Sequence, residues 1–182
     1  MGSTSIAIAS SSAERGRRNP VGRLALLTLA TLLSISSWAA GSLLTLPSAR
    51  GRRRVRREVF RRWARAVCRL LGVRVEVQGE VPVAPFYLVS NHLSYLDIVV
   101  FAAIMPARFV AKREVRGWPV VGLLARAMAT IFIDRAAHRD ALRLQDDLAQ
   151  AVADGDGVIL FAEATSTPGR VVLPFRPALL EW

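Results

Sequence analysis

Asn91-His92-Leu93-Ser94-Tyr95-Leu96-Asp97 is the stretch of this 182-residue chain whose residue types and spacing can do chemistry. His92 is one of only two histidines. A hydroxyl near neutral pH is a poor nucleophile, and a placed imidazole is the side chain that usually removes its proton. A carboxylate five residues on can fold back to the other ring nitrogen, fix the tautomer and stabilise the imidazolium. The pair alone is a weak signal, because a lone histidine after a strand more often caps a turn or sits satisfied in a core. Zinc is the rival use of these residue types. With one cysteine, two histidines, and His138 inside an amphipathic stretch, no usable third soft ligand exists, so no metal is expected.

Further blocks come later in the chain, in order. Ile131-Phe132-Ile133-Asp134-Arg135 is an apolar strand closing on Asp-Arg, and Phe161-Ala162-Glu163-Ala164-Thr165 ends a second apolar run. Val171-Val172-Leu173-Pro174-Phe175-Arg176 comes shortly after. Over about residues 70 to 182 the chain therefore resembles the glycerolipid (lysophosphatidate-type) acyltransferases. Asn91, His92 and Asp97 match that family's N-H-x4-D block, the second run matches its I-D-R block, and the third its F-P-E-G-T block.

The resemblance implies that His92 deprotonates an acceptor hydroxyl, which attacks a fatty-acyl thioester of CoA or acyl-carrier protein, with Asp97 orienting the imidazole. It makes Asn91 a brace for the loop and places Arg135 in the acceptor headgroup pocket, where a guanidinium fork suits a phosphate or carboxylate. Glu163 and Thr165 keep the third block's carboxylate and hydroxyl; Lys112, Arg113 and Arg176 are further candidates to face the acceptor. The default acceptor is 1-acylglycerol-3-phosphate, giving phosphatidate, and no cofactor beyond the donor thioester is expected.

Departures from the pattern matter. Ala162 and Ala164 stand for the family's Pro and Gly, and an alanine where a glycine adopts φ > 0 strains the turn. Ser166 occupies a position that is often Arg in lysophosphatidate-specific members. A non-phosphate lysolipid such as lyso-ornithine lipid is therefore the alternative acceptor. A catalytically silent, membrane-bound lipid binder is the second alternative. The family's fourth block, containing Val-Pro, has no match, so the chain is expected to be a fragment lacking the C-terminal part of the domain.

The net charge of +11 looks at first like a nucleic-acid signature. Mapped along the chain, residues 50–69 contribute +9, residues 1–23 contribute +3, and residues from 70 onward −1. The excess flanks one apolar stretch, Leu24 to Leu46, which has no charged residue. As a helix these residues span about 35 Å, enough for a bilayer core. A signal peptide cleaved near Ser37-Trp38-Ala39 is the lesser reading. An uncleaved anchor in the cell membrane fits the arginine flanks better, and their bias places the catalytic part in the cytoplasm. Membrane lipids are thus expected partners and nucleic acid is not.

Residues 1–23 read as a disordered basic leader. Residues 24–71 read as the anchor, with an apolar helix over 24–46 and an Arg-rich amphipathic helix over 52–71 stopped by Gly72. In the functional reading that second helix lies in the headgroup layer with Trp63 at the interface. Residues 72–182 form the acyltransferase domain. Within it, strands are expected at 73–77, 86–90 (buried), 108–111, 130–133 and 158–161, and helices at 94–104, 120–128 and 137–153. The alternation predicts an α/β layer fold with active residues at strand ends, and the resemblance implies a mixed sheet flanked by helices, glycerol-3-phosphate acyltransferase-like. Cys68, at helical spacing among apolar residues, is expected to be buried packing rather than a reactive thiol.

Overall fold

The computed structural model describes residues 5–10, 20–134 and 138–161. In chain order these form β1 (Ser5–Ser10), α1 (Pro20–Leu44), α2 (Ala49–Leu71), β2 (Val73–Gln78), β3 (Phe86–Ser90), α3 (Tyr95–Ile104), β4 (Ala107–Lys112), α4 (Val121–Ala127), β5 (Ile131–Ile133), α5 (His138–Ala153) and β6 (Gly157–Phe161). A 3-10 turn, Arg113–Gly117, links β4 to the segment before α4. The chain divides into two units, one within residues 1–82 with 99–105, the other within 83–98 with 106–182.

The first unit is built on a helical hairpin. α1 is long and apolar enough to cross a membrane, and none of its residues is buried. Three of its hydroxyls are satisfied within the helix, Thr28, Thr31 and Ser37 donating to the carbonyls of Leu24, Leu27 and Leu33, and Thr45 just beyond it donates to Gly41. That removes the cost of bare polar groups on an apolar helix.

α2 starts at an N-cap, Ser48, whose hydroxyl accepts from the Gly51 N–H, and stops at Gly72, where φ is +69° and an L side chain is disfavoured. The hairpin is antiparallel: Gly41 lies against Val55, Trp38 against Phe60, and Trp63 Nε1 donates to Thr31 Oγ1 at 3.1 Å. A Cβ on Gly41 would meet Val55 at 2.7 Å, so the helices approach closely there. In α2, Phe60, Ala64, Val67 and Cys68 are buried, and burial pushes the Cys68 thiol up. From the apolar stripe of α2, Phe60 contacts Trp38 of α1, and Trp63 turns its indole N–H into the hairpin. Many apolar side chains of α1 are exposed, among them Leu24, Leu29, Leu32, Leu33 and Leu44, as is Leu71 at the end of α2.

Two further differences from expectation belong to this unit. Residues 5–10 are a strand, not part of a disordered leader. They pair antiparallel with β2, from Ser5 opposite Gln78 to Ser10 opposite Val73, and so occupy backbone groups that an isolated strand leaves unpaired. β1 and β2 form a separate two-stranded ribbon. α2 also begins at Ala49, three residues before the expected start, because Ser48 provides the cap.

The second unit holds a four-stranded sheet of order β3-β6-β4-β5 in which every pairing is parallel. Among the described residues the expected mixed sheet is therefore a parallel sheet flanked by helices, and antiparallel pairing is confined to the ribbon. Val110, Ile131, Ile133, Val158 and Leu160 cluster with Leu144, Leu148 and Ala151 of α5. All five residues of β6 are buried, as suits a central strand. β3, expected to be buried, lies at the sheet edge among the described strands and alternates, with Tyr87 and Val89 exposed.

At the N-terminal end of β4, Arg108 Nε donates to Asp156 Oδ2 at 2.6 Å and its Nη2 to Asp154 Oδ2 at 2.7 Å. This ties the start of β4 to the turn before β6. Gly122 is required sterically: a Cβ there would sit 2.5 Å from the Arg116 carbonyl oxygen.

Candidate active site

Parallel strands deliver their C-terminal ends to one end of the sheet, where Asn91 and His92 follow β3 and Lys112 ends β4. β3 ends at Ser90; Asn91 to Ser94 form the loop, and α3 begins at Tyr95. The spacing between His92 and Asp97 reflects how that helix is capped. The Ser94 hydroxyl accepts from Leu96 N–H at 3.1 Å, and Asp97 Oδ2 reaches back to accept from Ser94 N–H at 2.9 Å. That is a reciprocal capping box. The same oxygen accepts from Leu93 N–H at 2.6 Å and lies 3.0 Å from His92 Nδ1. A carboxylate in the first turn thus binds the backbone before the helix and the imidazole two residues before the cap.

Asp97 is 5% exposed. Burial pushes its carboxyl up, but hydrogen bonds from His92 and from the Ser94 and Leu93 N–H groups, with the imidazole's charge, outweigh this and hold it below its ordinary value. An ionised Asp97 is an acceptor for a proton on Nδ1.

The imidazole is packed as well as bonded. Phe161, the last residue of β6, stacks on it with centroids 4.2 Å apart and planes 23° apart. Phe109 of β4 lies beyond Phe161 at 6.3 Å and 11°. Tyr95 meets the imidazole edge-on at 6.4 Å and 89°, and Trp118 meets Tyr95 at 6.1 Å. Phe161 was visible as the first residue of the third block, but only β-strand parity reveals its role. Register pairs Phe161 with Ser90, on the sheet face opposite the Val158–Leu160 cluster.

Asn91 comes directly after β3 and is half-buried; the Ser90 hydroxyl donates to its backbone carbonyl at 2.9 Å, with its side-chain oxygen 3.5 Å away. Lys112 ends β4 and is exposed, two strands from β3, or about 10 Å. Arg113 faces Asp134 at 3.8 Å. A pocket of about 300 Å³ lined by Arg113, Arg116, Phe132, Ile133 and Arg143 lies at the β5 edge, the edge remote from β3. Arg135, Glu163, Thr165 and Arg176 lie outside the described residues, as do Ala162, Ala164 and Ser166.

The fold is shared with a solved enzyme. The crystal structure of the 1-acyl-sn-glycerophosphate acyltransferase of Thermotoga maritima superposes with a TM-score of 0.57 at 22% identity, covering 86% of this chain and 66% of that one. A family model described as Acyltransferase matches residues 72–182. The chain belongs to the Acyltransferase family. Among curated relatives, the lyso-ornithine lipid O-acyltransferase of Rhizobium meliloti is 40% identical over 125 residues, covering 68% of this chain and 43% of the relative. That of Brucella abortus is 42% identical over 116 residues, covering 63% and 43%. The 1-acyl-sn-glycerol-3-phosphate acyltransferase of Neisseria meningitidis is 34% identical over 119 residues, covering 64% and 47%. The chain spans less than half the length of these three relatives.

Proposed function

We propose that the protein is a membrane-associated O-acyltransferase that moves a fatty acyl group from an acyl-CoA or acyl-carrier-protein thioester to the free hydroxyl of a lysolipid. The observation that carries this reading is the part-buried His92–Asp97 pair, 3.0 Å apart and closed by the cap of α3. His92 Nε2 takes the acceptor's hydroxyl proton as the oxygen attacks the thioester carbon. The tetrahedral intermediate then expels the thiolate as the C–S bond breaks, and the imidazolium returns its proton to sulfur. The products are the acylated lipid and the free thiol, with no other reactant consumed. Such a base accounts for about 10²–10⁴ in rate. Alignment and oxyanion donors supply the remainder.

Membrane association is supported by α1, with its exposed leucines, and by the arginines of α2, none of which is buried. Arginine bias favours the cytoplasmic side for the catalytic part.

Lyso-ornithine lipid is the acceptor we favour over lysophosphatidate. Ser166 lacks the guanidinium fork that a phosphomonoester would use. The lyso-ornithine relatives of Rhizobium meliloti and Brucella abortus are also more similar to this chain than the Neisseria meningitidis lysophosphatidate relative is.

The test is acyl transfer from labelled acyl-CoA and acyl-carrier protein to both lysolipids in parallel, with the full-length protein and its His92→Ala variant. We expect product on lyso-ornithine lipid and a loss of about 10²–10⁴ in the variant, with vesicle binding unchanged. Turnover on lysophosphatidate alone would overturn the acceptor; undiminished turnover in the variant would overturn the mechanism.

A further inference from the structure

We propose that Phe161 is a positioning residue for His92, its ring face holding the imidazole in plane and stabilising the charge it gains during proton transfer. This rests on the reading of His92 as the general base.

The Asp97 contact holds Nδ1, but the histidine χ2 torsion is intrinsically broad, and a hydrogen bond at a ring nitrogen constrains ring tilt less than a packed face does. The Phe161 face, 4.2 Å from the imidazole and within 23° of parallel, blocks that motion on one side. Phe161 cannot easily yield, being 6% exposed and backed by Phe109, itself 3% exposed and nearly parallel to it at 11°. Imidazole, Phe161 and Phe109 thus form a column arising from three neighbouring parallel strands: His92 just after β3, Phe161 ending β6, and Phe109 within β4.

A phenyl face carries negative potential. It attracts a cation above it, more strongly when water is excluded. The imidazole above Phe161 is neutral before transfer and cationic after it, so the attraction grows toward the transition state, and only such interactions accelerate the chemical step. A ring that merely filled space would act equally on both states.

The two roles separate when pentafluorophenylalanine is placed at position 161 in the full-length protein. Its shape is nearly that of phenylalanine, while the potential of its face is reversed, and its stacking on Phe109 is at least as favourable. We expect kcat to fall roughly 3- to 30-fold. The acceptor KM should stay within about twofold, and partially fluorinated rings should give intermediate values. Phe161→Leu should fall further, because support is lost along with charge stabilisation.

A second readout needs no turnover. The His92 Hε1 proton should resonate upfield through the Phe161 ring current and move downfield in Phe161→Leu. An unchanged kcat with the fluorinated ring, at wild-type melting temperature, would overturn the proposal. So would an Hε1 resonance insensitive to Phe161→Leu. Activity surviving in His92→Ala would instead sink the general-base reading, so the two failures are distinguishable.

Discussion

Arg62 on α2 and Arg108 on β4 each hold a carboxylate oxygen at 2.6 Å, yet the side chains of the first pair are 76% and 50% exposed and those of the second 15% and 2%. In the helical unit, ten arginines sit on a helix whose buried residues are Phe60, Ala64, Val67 and Cys68; no arginine is among these, and Arg62 keeps its head in water. In the sheet unit, Arg108 is drawn between two aspartates and its charge is consumed inside the fold. Equal bond lengths therefore conceal opposite roles. An exposed pair contributes little to stability and keeps its charge for other partners, whereas a buried pair is required once its members have lost their water.

Carboxylates on the two sides test this contrast. Asp97→Asn should have the largest effect, lowering kcat by about 10³–10⁴ through loss of the tautomer and the charge behind the imidazole. It also changes acid stability. Asp97 is held below its ordinary 3.8, so its stabilisation is fully present above that pH and fades as pH falls through the lower folded value. Urea midpoints measured between about pH 2.5 and 6 should therefore show a flatter acid limb in the variant. An acid limb as steep as the wild type's would mean that Asp97 is not the group responsible.

Next in size, Arg108→Ala leaves Asp156, 1% exposed, without the guanidinium that faces it. It should cost about 3–5 kcal/mol in denaturant unfolding. A loss under about 1 kcal/mol would place this pair with the surface ones and erase the contrast. Smallest, Glu58→Ala removes the partner of Arg62 on α2 and should change stability by no more than about 0.5 kcal/mol. Binding to anionic vesicles should tighten slightly, since the same arginines then act with one less acidic neighbour.

Much of this organisation can be read along the chain. Gly72 stops α2 because only glycine is comfortable at φ +69°, and the continuous apolar run 158–161 is buried as a central strand. His92 stood out through the ordered blocks around it. What escaped depends on pairing between distant residues. Nothing near Ser5 announces that it will lie opposite Gln78, and Phe86–Ser90 does not state that it ends at an edge. The Asp154-Gly155-Asp156-Gly157 run reads as a turn, since Arg108 lies 46 to 48 positions away. The aromatic column required knowing that Phe109 and Phe161 fall on the same sheet face. The capping box was locally legible in Ser94 and Asp97, but the catalytic spacing drew attention from it.

A single oxygen, Asp97 Oδ2, receives the Leu93 and Ser94 amides and the His92 ring. The first turn of α3 and the imidazole are therefore latched together, and fraying of one releases the other. Helix ends open more readily than whole domains. Heating should accordingly release the histidine before the sheet melts, and deuterium uptake at Leu93 and Ser94 becomes a substrate-free clock for how often the His92–Asp97 pair is open.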